Sequence, residues 1–311
     1  RLPRQSRAAS SFLRLVAPSL DGRGHKGQAG RIGVLGGSVD FAGAPYYAGI
    51  SALRVGAELL YLFTAEEAAG PIKTYSPELM VSTAYFHARI ASPASSEKEQ
   101  QAFVESMMTK LPRLHALCIG PGLGRHEAVL GAVGHIILAA RQRELPLVID
   151  ADGLWLVTQR PELVKGYARA VLTPNSMEYK RLAKALVGDE SADIQAVCNA
   201  LEGTIVLQKG PVDRVFAVGA GLTEPLECND VGSPRRPGGI GDLLAGSLTT
   251  VLAWAALREQ SLPHACHAAC VLVRRAAGAA YAKRRRALLA PDVIGELGPC
   301  FEELCPASGH L

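Results

Sequence analysis

Arg235-Arg236-Pro237-Gly238-Gly239-Ile240-Gly241-Asp242-Leu243-Leu244-Ala245-Gly246 is the stretch around which the chain is organised. It begins as a basic, glycine-rich turn. It ends as the opening of a helix, because the Ala/Leu-rich run continues to about Leu257. Glycines at 238, 239 and 241 let the backbone come close to a ligand and turn its N–H groups inward. The helix N-terminus behind them adds roughly half a unit of positive charge. Such a turn would hold a phosphate well, or it is a plain tight turn at a helix start. Asp242, at its edge, has two readings. It is either an aspartate N-cap on a tight turn, or a carboxylate placed to receive a proton from an attacking hydroxyl.

Outward from that turn, the chain alternates apolar runs with helical segments. Arg31–Ser38 reads as a short strand running into a glycine turn, and Ala44-Pro45 opens a helix, since proline is tolerated at its first position. The glycines do not make GxGxxG, so the dinucleotide fingerprint is absent. Leu59–Phe63 gives a second strand. The runs 117–119, 147–149, 170–172 and 205–208 read as buried parallel strands, with helices such as 127–143 and 191–201 between most of them. This pattern predicts a doubly wound α/β sandwich, in which ligands bind beyond the carboxyl ends of the strands.

The informative loops fall at those ends. Gly120-Pro-Gly-Leu-Gly124 follows one strand and Asp150-Ala-Asp-Gly153 the next, bringing two carboxylates to the sheet edge. Thr173-Pro-Asn-Ser-Met-Glu178 follows a third. Asn175 and Glu178 are spaced as a capping box, and such a pair could also hold a hydrated Mg²⁺. Lys209-Gly-Pro-Val-Asp213 follows a fourth strand, its lysine free to meet either phosphate or solvent.

Composition narrows the classes. The 311 residues are 48% hydrophobic and 20% charged, enough for one large α/β domain, and the net charge of +4 fits a pocket for small anions better than nucleic acid. Seven scattered cysteines without a CxxC read as reduced thiols inside a cell. No apolar run is read as reaching the roughly 18 residues of a membrane span. Residues 1–24 read as a loose basic leader, either the remnant of an organelle transit peptide or an artificial end, and 25–311 as one domain. His264, Cys266, His267 and Cys270 resemble metal ligands by type but lie in an alanine-rich helical segment, so a core helix is expected. Lys283–Arg286 is expected to be a solvated helix end.

Taken in order, these loops resemble the ATP-dependent NAD(P)H-hydrate dehydratase family of the ribokinase-like superfamily. The residues that carry the resemblance are Lys26-Gly-Gln-Ala-Gly-Arg-Ile-Gly-Val-Leu-Gly-Gly37, Gly43-Ala-Pro-Tyr-Tyr47, Tyr75-Ser-Pro-Glu-Leu79, Gly120-Pro-Gly-Leu-Gly-Arg125, Val148-Ile-Asp-Ala-Asp-Gly-Leu-Trp155, Leu172-Thr-Pro-Asn175, Gln208-Lys-Gly210 and Gly238-Gly-Ile-Gly-Asp242. Thr173-Pro-Asn175 and Ser233-Pro-Arg-Arg236 are similar to the eukaryotic, ATP-using branch.

The resemblance implies a ribokinase-like three-layer α/β/α sandwich with a mostly parallel sheet. It implies ATP-dependent dehydration of the S epimer of hydrated NADH or NADPH, giving NAD(P)H, ADP and phosphate. Asp242 would be the base, ionised and only weakly basic beside the helix dipole, and the N–H groups of Gly239, Ile240 and Gly241 would stabilise the moving phosphoryl group. Lys209, Gly210, Pro211, Val212 and Asp213, with the run Gly232-Ser233-Pro234-Arg235-Arg236-Pro237-Gly238-Gly239-Ile240-Gly241, would line the ATP site. Gly122 or Gly124, then Asn175, Ser176, Met177, Glu178, Tyr179, Lys180 and Arg181, and Asp242 itself, would contact the hydrated nucleotide. Glu178 is the implied Mg²⁺ residue, directly or through water. The resemblance also implies small-molecule partners without nucleic acid or membrane, leaves room for a homo-oligomer, and fits a mitochondrial or cytosolic protein. Two other readings remain: another ribokinase-like kinase acting on a hydroxymethyl-pyrimidine, thiazole or sugar alcohol, and a nucleotide-binding protein without catalysis.

Overall fold

The computed structural model describes residues 4–21 and 23–307. Nine strands among them form a single sheet: β1 (Arg31–Leu35), β2 (Leu59–Ala65), β3 (Met80–Tyr85), β4 (Ala116–Ile119), β5 (Leu147–Ile149), β6 (Ala170–Leu172), β7 (Ile205–Gln208), β8 (Asp213–Phe216) and β9 (Leu226–Cys228). Their spatial order is β3-β2-β1-β4-β5-β6-β7-β8-β9. All neighbours from β3 to β7 run parallel, while β8 and β9 are antiparallel additions at one edge. The helices are α1 (Arg4–Val16), α2 (Gly43–Val55), α3 (Glu66–Tyr75), α4 (His87–Ile90), α5 (Ser96–Lys110), α6 (Glu127–Gln142), α7 (Ala151–Gln159), α8 (Ser176–Val187), α9 (Ile194–Ala200), α10 (Ile240–Leu257), α11 (Leu262–Arg284) and α12 (Ala290–Leu304).

The strands read as continuous apolar runs because both of their faces are covered. Side chains alternate between faces, and the two cores divide accordingly. Ile32, Val34, Cys118, Val148, Val171 and Leu207 join one core with α1, α2, α3, α10, α11 and α12. Leu35, Leu117, Ile119, Ile149, Leu172 and Val206 join the other with α4 to α9. The result is the expected three-layer α/β/α sandwich.

α10 is the central helix of the first layer. Contrary to the expectation that no apolar run reaches that length, its 18 residues match a membrane span by length and composition. It is a core helix here, buried from Leu243 to Ala255 and packed on α2 and α11. Gly246 permits the closest of these contacts. A Cβ there would stand 1.8 Å from the Ala48 carbonyl of α2. α11 is likewise a core helix, with Cys266, His267 and Cys270 buried and the His267 ring bonded to the Glu227 carbonyl. Its basic end is exposed as expected, with two of its four charges paired on α12: Lys283 with Glu296 at 2.6 Å and Arg284 with Asp292 at 2.9 Å.

The reading of a loose leader needs correction over Arg4–Val16. That segment is α1, and Ser6, Ala9, Ser10, Leu13 and Val16 are buried on one face. It packs mainly on α11. The Ser6 hydroxyl donates to Asp230 at 2.9 Å, and Gln5 accepts from the Asn229 N–H at 3.0 Å. A basic, serine-rich composition hid a helix whose buried positions recur at helical spacing. If α1 is part of the first core, Leu13→Ala will lower unfolding free energy by about 2–5 kcal/mol, as for other buried leucines. Urea denaturation measures this, and an unchanged midpoint would mean that α1 adds nothing to that core.

Candidate active site

Register builds the site. Ile119, Ile149 and Leu172 stand opposite one another across β4, β5 and β6. The residues that follow them, Gly120, Asp150 and Thr173, therefore emerge at one sheet edge. Lys209 arrives beside them from β7, its N–H donating to the Pro174 carbonyl at 2.8 Å. Asp150 stands at the N-cap position of α7, without a side-chain cap bond, and is 3% exposed. Its Oδ1 accepts from Lys209 Nζ at 2.7 Å and from the Thr173 hydroxyl at 2.8 Å. Lys209 is thus held by a carboxylate, an arrangement that the strand-end reading of a phosphate-meeting or solvated lysine did not contain.

The glycine turn closes over this pair. Gly239 is the N-cap of α10, with φ +98. A Cβ at that position would lie 2.8 Å from the Tyr47 ring and 3.0 Å from Ala290, so the left-handed turn and the space both demand glycine. Helix bonding starts with the Leu243 N–H to the Gly239 carbonyl at 2.9 Å. The N–H groups of Ile240, Gly241 and Asp242 precede that bond and have no helical carbonyl to meet. A Cβ on Gly241 would stand 3.5 Å from Lys209 Nζ, which places the ammonium directly beneath the turn.

Asp242 is not the N-cap. It is the third residue of α10, inside the first turn. Nor is it the weakly basic carboxylate that the dipole alone suggests. Burial first, then the Asp150 carboxylate, push it up to about 7, against the lowering pull of Lys209 and of its own backbone N–H. The local dipole is outweighed by desolvation and by a like charge from a distant strand. Lys209 loses some basicity to burial, but Asp150, Glu178 and Asp242 more than restore it and hold it above its ordinary value.

Asn175 and Glu178 form the capping box that their spacing predicted. Asn175 Oδ1 accepts from the N–H groups of Met177 and Glu178, and Glu178 Oε2 accepts from the Asn175 N–H at 2.8 Å. Burial raises Glu178, partly offset by Lys209. Among the described residues no three His, Cys, Asp or Glu side chains are grouped as a metal shell. One Glu178 oxygen is committed to the cap. The other suits a cation that keeps most of its water and takes phosphate oxygens.

The remaining loops meet the site unequally. Asp152 Oδ2 accepts from the Gly124 N–H at 2.9 Å and Oδ1 from Arg125 Nε at 2.9 Å, while the Arg125 guanidinium lies over the Trp155 ring at 4.4 Å. This fixes the 120–125 loop, with Gly122 and Gly124 half-buried in it. Along α8, Asn175, Ser176, Met177, Lys180 and Arg181 are exposed. Tyr179 turns into the second core, its hydroxyl donating to the Ala192 carbonyl at 3.0 Å. Ser176 and Lys180 line a cleft of about 530 Å³ against Gln208, Arg214 and Glu224, and Asp242 stands outside it. On the opposite flank, Pro211, Val212 and Asp213 turn between β7 and β8. The Gly232–Gly241 loop follows β9, tethered by the Arg235 Nε bond to the Leu288 carbonyl at 2.9 Å. Arg236 is exposed and Pro237 half-buried.

A carboxylate pushed up to about 7, the helix N-terminal N–H groups of α10 and a buried ammonium meet at one sheet edge, an arrangement that can take up a proton beside a bound anion. Residues 32–298 match the family described as NAD(P)H-hydrate dehydratase, and the chain belongs to that family. An ATP-dependent (S)-NAD(P)H-hydrate dehydratase of Bos taurus is 44% identical over 310 residues, covering 95% of this chain and 89% of the relative. A ribokinase-like superfamily protein of Enterococcus faecalis superposes with a TM-score of 0.74 at 23% identity, over 95% of each chain. The ADP/ATP-dependent NAD(P)H-hydrate dehydratase of Bacillus subtilis, co-crystallised with ATP/Mg²⁺, gives a TM-score of 0.68 at 23% identity, covering 95% of this chain and 97% of that one.

Two variants test the electrostatics. Asp150→Asn removes a like charge and frees Lys209 to act on Asp242, so the acidic limb of the activity profile shifts to lower pH by about one unit. Lys209→Met shifts it upward. Asp242→Asn makes a separate prediction. Its carboxyl is raised from 3.8 when unfolded to about 7 when folded. The native state therefore binds more protons between those values, and wild-type stability falls as pH rises through that window. Asp242→Asn gains about 1–3 kcal/mol at pH 8 and nothing below about pH 4, read by thermal denaturation at the two pH values.

Proposed function

We propose that this protein restores damaged nicotinamide nucleotides, using ATP to dehydrate the S epimer of hydrated NADH or NADPH. The observation that carries the reading is Asp242, raised to about 7 at the open end of α10. Hydroxide is a poor leaving group and phosphate is a good one. Asp242 accepts the proton of the ring hydroxyl as its oxygen bonds to the terminal phosphorus of ATP and the bond to ADP breaks. The N–H groups of Ile240 and Gly241, with those of the glycines before them, meet the charge spread over the phosphoryl oxygens. The ring nitrogen lone pair then expels the phosphate as the ring carbon beside the leaving group loses a proton, restoring the double bond. The products are NAD(P)H, ADP and phosphate.

Lys209 keeps the anion hole positive while Asp150 holds it in place. The segments Lys209–Asp213 and Gly232–Gly241 hold ATP, and Gly122, Gly124 and the exposed face at the start of α8 hold the hydrated nucleotide. Mg²⁺ fits as a companion of the ATP phosphates, where it would neutralise their charge, with Glu178 facing it through water. A kinase that retains a phosphate ester would use the same base. The family membership and the Gly120–Arg125 and Asp150–Trp155 loops favour dehydration. Seven unpaired cysteines, six of them buried, suit a reducing compartment, cytosolic or mitochondrial.

Hydrated NADH lacks the 340 nm absorbance of NADH. Mixed with the protein, Mg²⁺ and ATP, it is expected to regain that absorbance with one phosphate released per NADH. Asp242→Asn is expected to lose at least a hundredfold in rate, the scale set by general-base removal. A stable phosphorylated product without recovered absorbance would make the protein a kinase instead.

A further inference from the structure

The two segments assigned to ATP come from different parts of the chain, and one side chain ties them together. Arg274 projects from α11 toward the β7–β8 turn, its side chain 17% exposed. Nε donates to Asp213 Oδ2 at 2.6 Å, Nη2 to the Gly210 carbonyl at 2.7 Å, and Nη1 to the Asp230 carbonyl at 3.2 Å. Asp213 Oδ1 in turn accepts from the Gly210 N–H at 3.0 Å. Both polar groups of the Gly210 backbone are therefore fixed by the Asp213–Arg274 pair. Asp230 lies just past β9, at the entry to the Gly232–Gly241 loop. A Cβ on Gly232 would stand 3.6 Å from the Arg274 stem, so the loop runs against that side chain. One turn along α11, a Cβ on Gly278 would stand 3.0 Å from the Val231 carbonyl, so the helix seats the loop at a second point. On its far side, Asp230 receives the Ser6 hydroxyl of α1.

We propose that Arg274 is a positioning residue for the nucleoside triphosphate: it fixes the spacing between the β7–β8 turn and the glycine loop, the two walls of the phosphate-donor site. This rests on the reading of those segments as the ATP site. All three guanidinium nitrogens are engaged with protein, two on backbone carbonyls and one on a carboxylate, which leaves Arg274 fixed in place and not acting as a phosphate ligand. A preorganised site spares ATP the ordering of two loops. Without the guanidinium, ATP must supply that ordering itself. The effect falls on ATP affinity and leaves the chemistry at Asp242 and the hydrated nucleotide's site alone.

The test compares wild type, Arg274→Ala and Arg274→Lys by calorimetric titration with Mg²⁺-ATP and by steady-state kinetics with each substrate varied in turn. Both variants are expected to weaken ATP binding and raise KM for ATP by roughly 10- to 100-fold, the loss of charge-assisted hydrogen bonds. KM for the hydrated nucleotide and kcat at saturating ATP are expected to stay within about threefold, a split that general loosening of the fold would not give. Millimolar methylguanidinium is expected to restore ATP affinity to Arg274→Ala and not to Arg274→Lys, whose side chain fills the space. Should Arg274→Ala fail to fold, Arg274→Lys carries the comparison, since it keeps the charge and the stem but not the three-way fork. Unchanged ATP affinity in a folded variant, or equal increases in both KM values, would overturn the proposal. Failure of the wild type to bind ATP would overturn the nucleotide reading itself, and the two failures are told apart in the first titration.

Discussion

The ion pair between Lys209 and Asp150 is the constraint on which the rest of this site depends. It joins the ends of β7 and β5 at 2.7 Å, in a place where both side chains have left most of their water. Three carboxylates, Asp150, Glu178 and Asp242, act on that one ammonium and hold it above its ordinary value, Asp150 in direct contact. Burying such charges without the cation would be prohibitive, and breaking a buried pair by removing one partner typically costs about 3–5 kcal/mol. The pair divides the labour among the carboxylates. Asp150 stays committed to Lys209 and Thr173. Glu178 stays committed to its helix cap. Asp242, pushed up to about 7, is left to give up or take a proton near neutral pH.

The same economy governs the backbone. α10 must be buried to hold its N-terminus still, and Gly246 lets it sit against α2. Gly239 then turns the incoming chain so that the first N–H groups face outward. α11 braces α10 on one side and, through Arg274, fixes the turn and loop that flank the hole. α1 reaches the entry to that loop, at Asp230 and Asn229, through Ser6 and Gln5. α1 is thus linked by two hydrogen bonds to the segment that leads into the glycine turn, which couples its stability to that segment.

Much of this was legible in the sequence. The strands from β4 to β7 announce themselves as apolar runs ended by glycine, aspartate, threonine or lysine, because burial on both faces leaves little room for polar residues. Their ends then place Gly120, Asp150, Thr173 and Lys209 in order. β3 was not legible, because a half-exposed edge strand such as Met80–Tyr85 mixes polar and apolar residues. β8 and β9 are short and antiparallel at the other edge. α1 carried a helical period that its arginines and serines obscured. The basicity of Asp242 could not be read locally. The helix dipole is written in the neighbouring residues, whereas the burial and the Asp150 charge that outweigh it come from ninety residues upstream and from the packing itself. Arg274 had no motif at all; its role exists only where α11 meets the β7–β8 turn.

The most direct measurement is the titration of the Asp242 carboxyl itself. Protein labelled with ¹³C at aspartate carboxyls, compared with Asp242→Asn to identify the resonance, reports its protonation across pH. The account predicts a midpoint near 7, moving downward in Asp150→Asn. A midpoint near 4, unaffected by Asp150, would contradict it and leave Asp242 as an ordinary helix-end carboxylate.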